Sequence, residues 1–221
     1  MLAQTMFDIG FDRAVDHVQS YFRRTTSGGP WFTGSHFESF AGGGDRYEPN
    51  RITAEDLVAV SFLAVDISGD AALALIETRK DEVAVLLRAL PVDLQFERLT
   101  KGKFKSLMCA QGNPAQALWD LLRSGGDSWG IGPTRASKIM ARKRPHLIPI
   151  FDSVMEEAAG LKGDRHQWTT WWNEFHGPDG NRLVDHLTKI RLACGKNDLS
   201  LLRVLDIAIW MDRHGAAKMH G

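Results

Sequence analysis

Cysteine is scarce: the 221 residues hold two, Cys109 and Cys194, far apart and neither in a C-x-x-C pair. That excludes a disulfide framework and a cysteine-based structural zinc site, and leaves both to be read as buried free thiols. Long apolar runs are missing too. No stretch approaches the roughly 18 uninterrupted apolar residues a membrane helix needs. The opening MLAQTMFDIGFDR lacks the cationic start and apolar block of a signal peptide, so a cytoplasmic protein with no membrane partner is expected. Charge of one sign is not in excess, because 27 Lys and Arg balance 27 Asp and Glu. Any nucleic-acid binding must therefore come from local asymmetry. Period-two alternation is nowhere sustained, and no repeat or low-complexity tract appears.

What is present reads as a string of helices. Apolar residues make up 43% of the chain, enough for a globular core. Ile9, Phe11, Val15, Val18 and Phe22 suit one face of a helix over 9–24, which ends at the breaker run TTSGGP. A long loop to about Asn50 follows, carrying WFTGSHF and AGGGD. The latter lacks the lysine and flanking strand of a phosphate-binding loop and reads as a flexible turn. Thr53 opens T-A-E-D ahead of LVAVSFLAV, an N-cap and buried helix, with a buried strand as the alternative. Further helices are expected near 70–77, 81–90, 114–123, 153–160, 165–176, 181–194 and 198–213. The expected fold is all-α, a helical two-lobed arrangement with 1–24 and 150–221 in one lobe and 50–149 in the other. Trp168, Trp171, Trp172 and Phe175 fall at helical spacing and read as core or lobe interface rather than a base platform. Eight histidines make neither H-x-x-x-H nor H-x-x-E, so no catalytic metal is expected.

The charge asymmetry lies in WGIGPTRASKIMARKRPHLIPIFDS, residues 129–153, which holds five Lys and Arg and no acid before Asp152. Two helices joined by a tight turn fit here, the first ending at Ser124-Gly125-Gly126 and the second starting at Gly132-Pro133. Amides left uncovered by Gly130 and Gly132 at a helix N-terminus suit a phosphate oxygen. Arg135, Lys138 and Arg142, three and four apart, would extend that contact along one flank. The plainer alternative is a hairpin whose glycines only permit the turn. Asp152 then starts another helix, where a carboxylate is either an N-cap or a positioned anion, and Ser153 with Glu156 offers a capping box one step later.

Taken together, Trp129-Gly130-Ile131-Gly132, Ala136, Ile139 and the connector Pro149-Ile150-Phe151-Asp152 resemble the core of the helix-hairpin-helix DNA glycosylase (HhH-GPD) superfamily. This stretch and the WFTG…TAEDLVAV segment also resemble an uncharacterised bacterial domain family. The glycosylase resemblance implies duplex DNA as partner and a helix-hairpin-helix within the all-α fold. It implies amides around Gly130, Gly132 and Thr134 on a backbone phosphate, next to the flank that spacing assigns to Arg135, Lys138 and Arg142. It further implies a structural K⁺ or Na⁺ at hairpin carbonyls near Trp129 and Ile131, with no other cofactor, and Asp152 as the catalytic carboxylate beside the sugar of a flipped nucleotide. Trp31, Phe32 and His36 are candidates for the base pocket. Three departures matter. Thr134 stands where bifunctional members carry the Schiff-base lysine, Val154 where a histidine is usual, and two cysteines cannot hold an iron–sulfur cluster. A monofunctional glycosylase is the leading expectation. The alternatives are a non-catalytic DNA-binding module on the same hairpin and a helical protein-interaction domain.

Overall fold

Helical spacing becomes helix along the whole chain in the computed structural model, which describes residues 1–215. In order these are α1 (Leu2–Ile9), α2 (Phe11–Tyr21), α3 (Ala54–Ser61), α4 (Gly69–Leu73), α5 (Lys80–Arg88), α6 (Lys101–Phe104), α7 (Pro114–Arg123), α8 (Gly126–Trp129), α9 (Pro133–Lys143), α10 (Ser153–Ala158), α11 (Gln167–His176), α12 (Gly180–Ala193) and α13 (Leu201–Trp210). Among the described residues there is no strand, only one isolated bridge between Arg24 and Pro30. The protein is all-α, and no described helix is long and apolar enough to cross a membrane.

Local chemistry sets several boundaries. Thr53 caps α3 through a complete capping box with Asp56, so the apolar run after it is helix as far as Ser61, and its remainder is turn rather than strand. Asn113 Oδ1 accepts from Gln116 N at 2.8 Å and Pro114 fills the first turn of α7. Elsewhere the boundaries move. The helix expected over 9–24 is α2, shorter at both ends, because Gly10 at φ 78° separates it from α1, a helix the sequence reading did not expect. The turn expected between Gly126 and Gly132 contains the single-turn helix α8, and the helix expected from 198 starts at Leu201, capped by Ser200.

Two compact units result, Met1–Ser35 with residues 149–215, and His36–Ile148. In the first, α13 is the buried axis, packed by α1, α2, α10 and α12. All nine residues Leu201–Ile209 are buried, including Arg203 and Asp206. Those two stay inside because they pair with each other, while Arg203 also bonds Tyr21 Oη at 2.9 Å. Trp168, Trp171 and Phe175 of α11 are buried core residues, and Trp172 stacks on His176. In the second unit, α9 is central and packs on α3 and α7. Cys109 is exposed and Cys194 half-buried, which corrects the expectation of two buried thiols.

Candidate nucleic-acid interface

Gly130 adopts φ 60°, ψ 18°, a left-handed conformation that closes α8 and that glycine takes without strain. Gly132 is extended and stands at the N-cap of α9 with no side chain to cap the amides behind it. Pro133 occupies the first turn, and no acid lies there. A built Cβ would meet nothing within 4 Å at either glycine. Gly130 is exposed, and Gly132, Thr134 and Arg135 are half-exposed. The uncapped amides of α9 thus stand at the surface with the positive end of the helix dipole.

The carbonyls of the same turn have partners. Arg135 donates through Nη1 to Gly130 O at 2.8 Å and through Nε to Asp66 O at 2.6 Å. The Ser68 hydroxyl lies 3.0 Å from Trp129 O and 3.2 Å from Ser128 O. A guanidinium and a hydroxyl therefore stand at two of the oxygens beside the expected K⁺ or Na⁺ position near Trp129 and Ile131. Sequence reasoning missed Ser68, because nothing local connects it to a turn 60 residues later.

The cationic flank of α9 is not where the pattern put it. Lys138 is buried, with Nζ on Leu63 O at 2.9 Å. Arg142 is 2% exposed. Its Nε pairs with Asp56 Oδ1 at 2.9 Å, and its Nη atoms donate to the carbonyls of Phe37, Glu38 and Phe40. Lys143 Nζ reaches Asp56 Oδ2 at 2.8 Å and Glu48 O at 2.9 Å. Arg144 donates to the carbonyls of Leu87, Leu90 and Pro49 and to Asn50 Oδ1. Lys138 and Arg142 are thus spent inside the protein, and the expectation that they extend a phosphate contact is corrected: helical spacing shares a face, but that face is the buried one. Burial pushes the Lys143 ammonium down, opposed by Asp56.

The loop these cations hold is not a free turn. A Cβ at Gly44 would fall 2.5 Å from Arg142 O and 2.7 Å from Asp56 Oδ1, so AGGGD is wedged against α9, and only glycine fits at position 44. Asp56 was legible as a cap residue; its second role as the buried counter-charge of α9 was not.

Asp152 belongs to the first unit. It is the half-buried N-cap of α10, with Oδ1 accepting from Val154 N and Met155 N, both at 3.1 Å. Val154 is buried in the position where the resembled family has a histidine. In the same unit Trp31, 40% exposed, and buried Phe32 line a hollow of about 430 Å³ with Thr25 and Thr33. Phe32 stacks on Tyr21 with ring centroids 5.5 Å apart, and the Arg23 guanidinium lies over Trp31. His36 is not among the residues lining that hollow and opens the second unit. No group of three or more His, Cys, Asp or Glu able to hold a metal occurs among the described residues.

A family model described as a family of unknown function, DUF6308, matches residues 14–213. No curated protein and no solved structure matches the chain.

Proposed function

We propose, for a chain that belongs to the DUF6308 family and so to a family of unknown function, that it binds the sugar-phosphate backbone of duplex DNA through the α8–α9 turn. We assign it glycosylase-like chemistry, with Asp152 as the carboxylate that stabilises positive charge on a deoxyribose as an N-glycosidic bond breaks. The observation that carries the reading is the uncapped, acid-free N-terminus of α9 beside an exposed left-handed Gly130. Such amides supply donors to a phosphate oxygen without any side chain moving. The Trp31–Phe32 hollow offers an aromatic surface of the kind a flipped base stacks on.

Gly132→Asp tests the binding half. Aspartate is a favoured N-cap residue and the site has room for its Cβ, but glycine is itself a tolerated cap, so the variant should gain only roughly a few tenths of a kcal/mol of stability. Its carboxylate would stand where a phosphate oxygen must come. Loss of duplex binding in a protein that melts no lower than the wild type is the expected result; unchanged affinity would rule out the turn as the contact. Asp152→Asn tests the chemistry. It should end base release from a panel of damaged duplexes and leave affinity intact.

A second reading, binding without chemistry, is favoured by one observation. Asp152 Oδ1 already takes two amides of α10, so capping alone accounts for the residue. Wild-type protein that binds duplexes and releases no base from the panel would establish it.

A further inference from the structure

Away from the hairpin, the second unit has a hollow of about 430 Å³ bounded by residues 48–51 and by one face of α5. Lys80, Ala84 and Arg88 reach it at i, i+4 and i+8, and Arg51 and Asp81 complete the charged lining with Glu48. Three cations thus face two acids. Among the described residues, no carboxylate lies within ion-pair distance of Arg51, Lys80 or Arg88.

The wall behind them carries more positive charge. Arg144 is 1% exposed and bonds Pro49 O at 2.7 Å and Asn50 Oδ1 at 2.7 Å. Every oxygen it contacts is neutral, and no described carboxylate is within ion-pair distance of it. Burial pushes its pKa down to about 10, opposed by Asp45, so at neutral pH it stays a cation short of compensation. Lys143, bonded to Glu48 O, lies in the same wall, with its charge offset by the Asp56 carboxylate it shares with Arg142. Arginine has no acceptor, so the Asn50 atom facing Arg144 is the oxygen, and the Nδ2 donors are left for the hollow that Asn50 lines. Glu48 itself sits at φ 49°, a conformation a non-glycine residue adopts only when its surroundings impose it.

We propose that this hollow binds a phosphate group, held by Arg51, Lys80 and Arg88 with Asn50 as a neutral donor. Paired guanidinium forks suit phosphate oxygens, and the buried charges behind them act through a poorly solvated wall. Asp81 opposes binding and sets its strength. The assignment stands apart from the hairpin reading, since phosphate can bind here whether or not α9 touches DNA.

Calorimetric titration with inorganic phosphate, at ionic strength fixed by sodium chloride, tests it. Saturable binding is expected, and the double variant Arg51→Gln with Arg88→Gln should weaken it by about tenfold or more. Lys80→Gln should weaken it less, and Asp81→Asn should tighten it. All four side chains are exposed, and melting without phosphate checks that the variants fold. No saturable binding, or a double variant that binds like the wild type, would overturn the site; so would an Asp81→Asn variant that fails to tighten. Competition identifies the source of the phosphate. Displacement by a deoxynucleoside 5′-monophosphate points to a free nucleotide, displacement by a short duplex alone points to a nucleic-acid backbone, and displacement by neither overturns the assignment. The same duplex arm run on Gly132→Asp separates this hollow from the hairpin.

Discussion

Asp56 shows how much one side chain can hold. Its two oxygens accept from Thr53 N at 3.1 Å, Arg142 Nε at 2.9 Å and Lys143 Nζ at 2.8 Å, and it is 2% exposed. Removing the carboxylate strands two buried cations, whereas an isolated surface pair would cost almost nothing. Asp56→Ala should therefore lose about 3–5 kcal/mol in urea denaturation, far more than the loss of a helix cap alone. His186 makes a prediction of the opposite kind, because it is a half-buried base against two aromatic rings, 5.7 Å from Phe7 and 6.3 Å from Phe11 by ring centroids. Desolvation lowers its pKa below the usual 6.5, helped by Arg182 and Lys189 and opposed by a Met6 backbone bond and Asp185. The unfolded chain then takes up the proton first on acidification. Stability contributed by the neutral ring is present above pH 6.5 and is lost as pH falls below it. Melting curves from pH 7.5 to 5 should fall more steeply for the wild type than for His186→Leu; parallel curves would show that the ring does not titrate in this way.

At the scale of the element, α9 divides what the sequence made legible from what it hid. Its start was readable because the signals are local: two glycines, a proline and the absence of an acid decide the turn within six residues. The same holds for α7, where Asn113-Pro114 marks the first turn, and for α3, where Thr53 and Asp56 close a capping box. The destination of the cations was not readable. Helical spacing puts Arg135, Lys138 and Arg142 on one flank, yet whether Arg142 meets solvent depends on partners 86–105 residues away in sequence. The AGGGD loop was misread for the same reason, since glycine as a hinge and glycine as the only residue that fits look alike in sequence. Gly44→Ala distinguishes them. A methyl group 2.5 Å from Arg142 O must displace either α9 or the loop, at about 1–3 kcal/mol. The melting temperature should drop by roughly 2–4 °C for each kcal/mol at this chain length. Protease cleavage within 36–50 should quicken alongside it. A hinge glycine would give neither effect.

For the whole molecule, a formal net charge of zero hides an uneven use of the charges. Lys138, Arg142, Lys143 and Arg144, the densest basic cluster in the sequence, are buried and satisfied by carbonyls and by Asp56. The exposed cations of the second unit instead include Lys101, Lys103 and Lys105 and the group around the 48–51 hollow. A phosphate held by backbone amides at the α8–α9 turn releases few counterions, because amides carry no charge to neutralise one. Affinity for duplex DNA should then fall with a log–log salt slope of about −1 to −3, or roughly tenfold between 50 and 200 mM salt for two neutralised phosphates. An exposed five-cation flank would give a slope near −4.5 and a loss of several hundredfold over the same range. Fluorescence anisotropy across that range decides between the two. A steep slope in the wild type that persists in Gly132→Asp would move the DNA contact away from the hairpin and onto the exposed lysines and arginines.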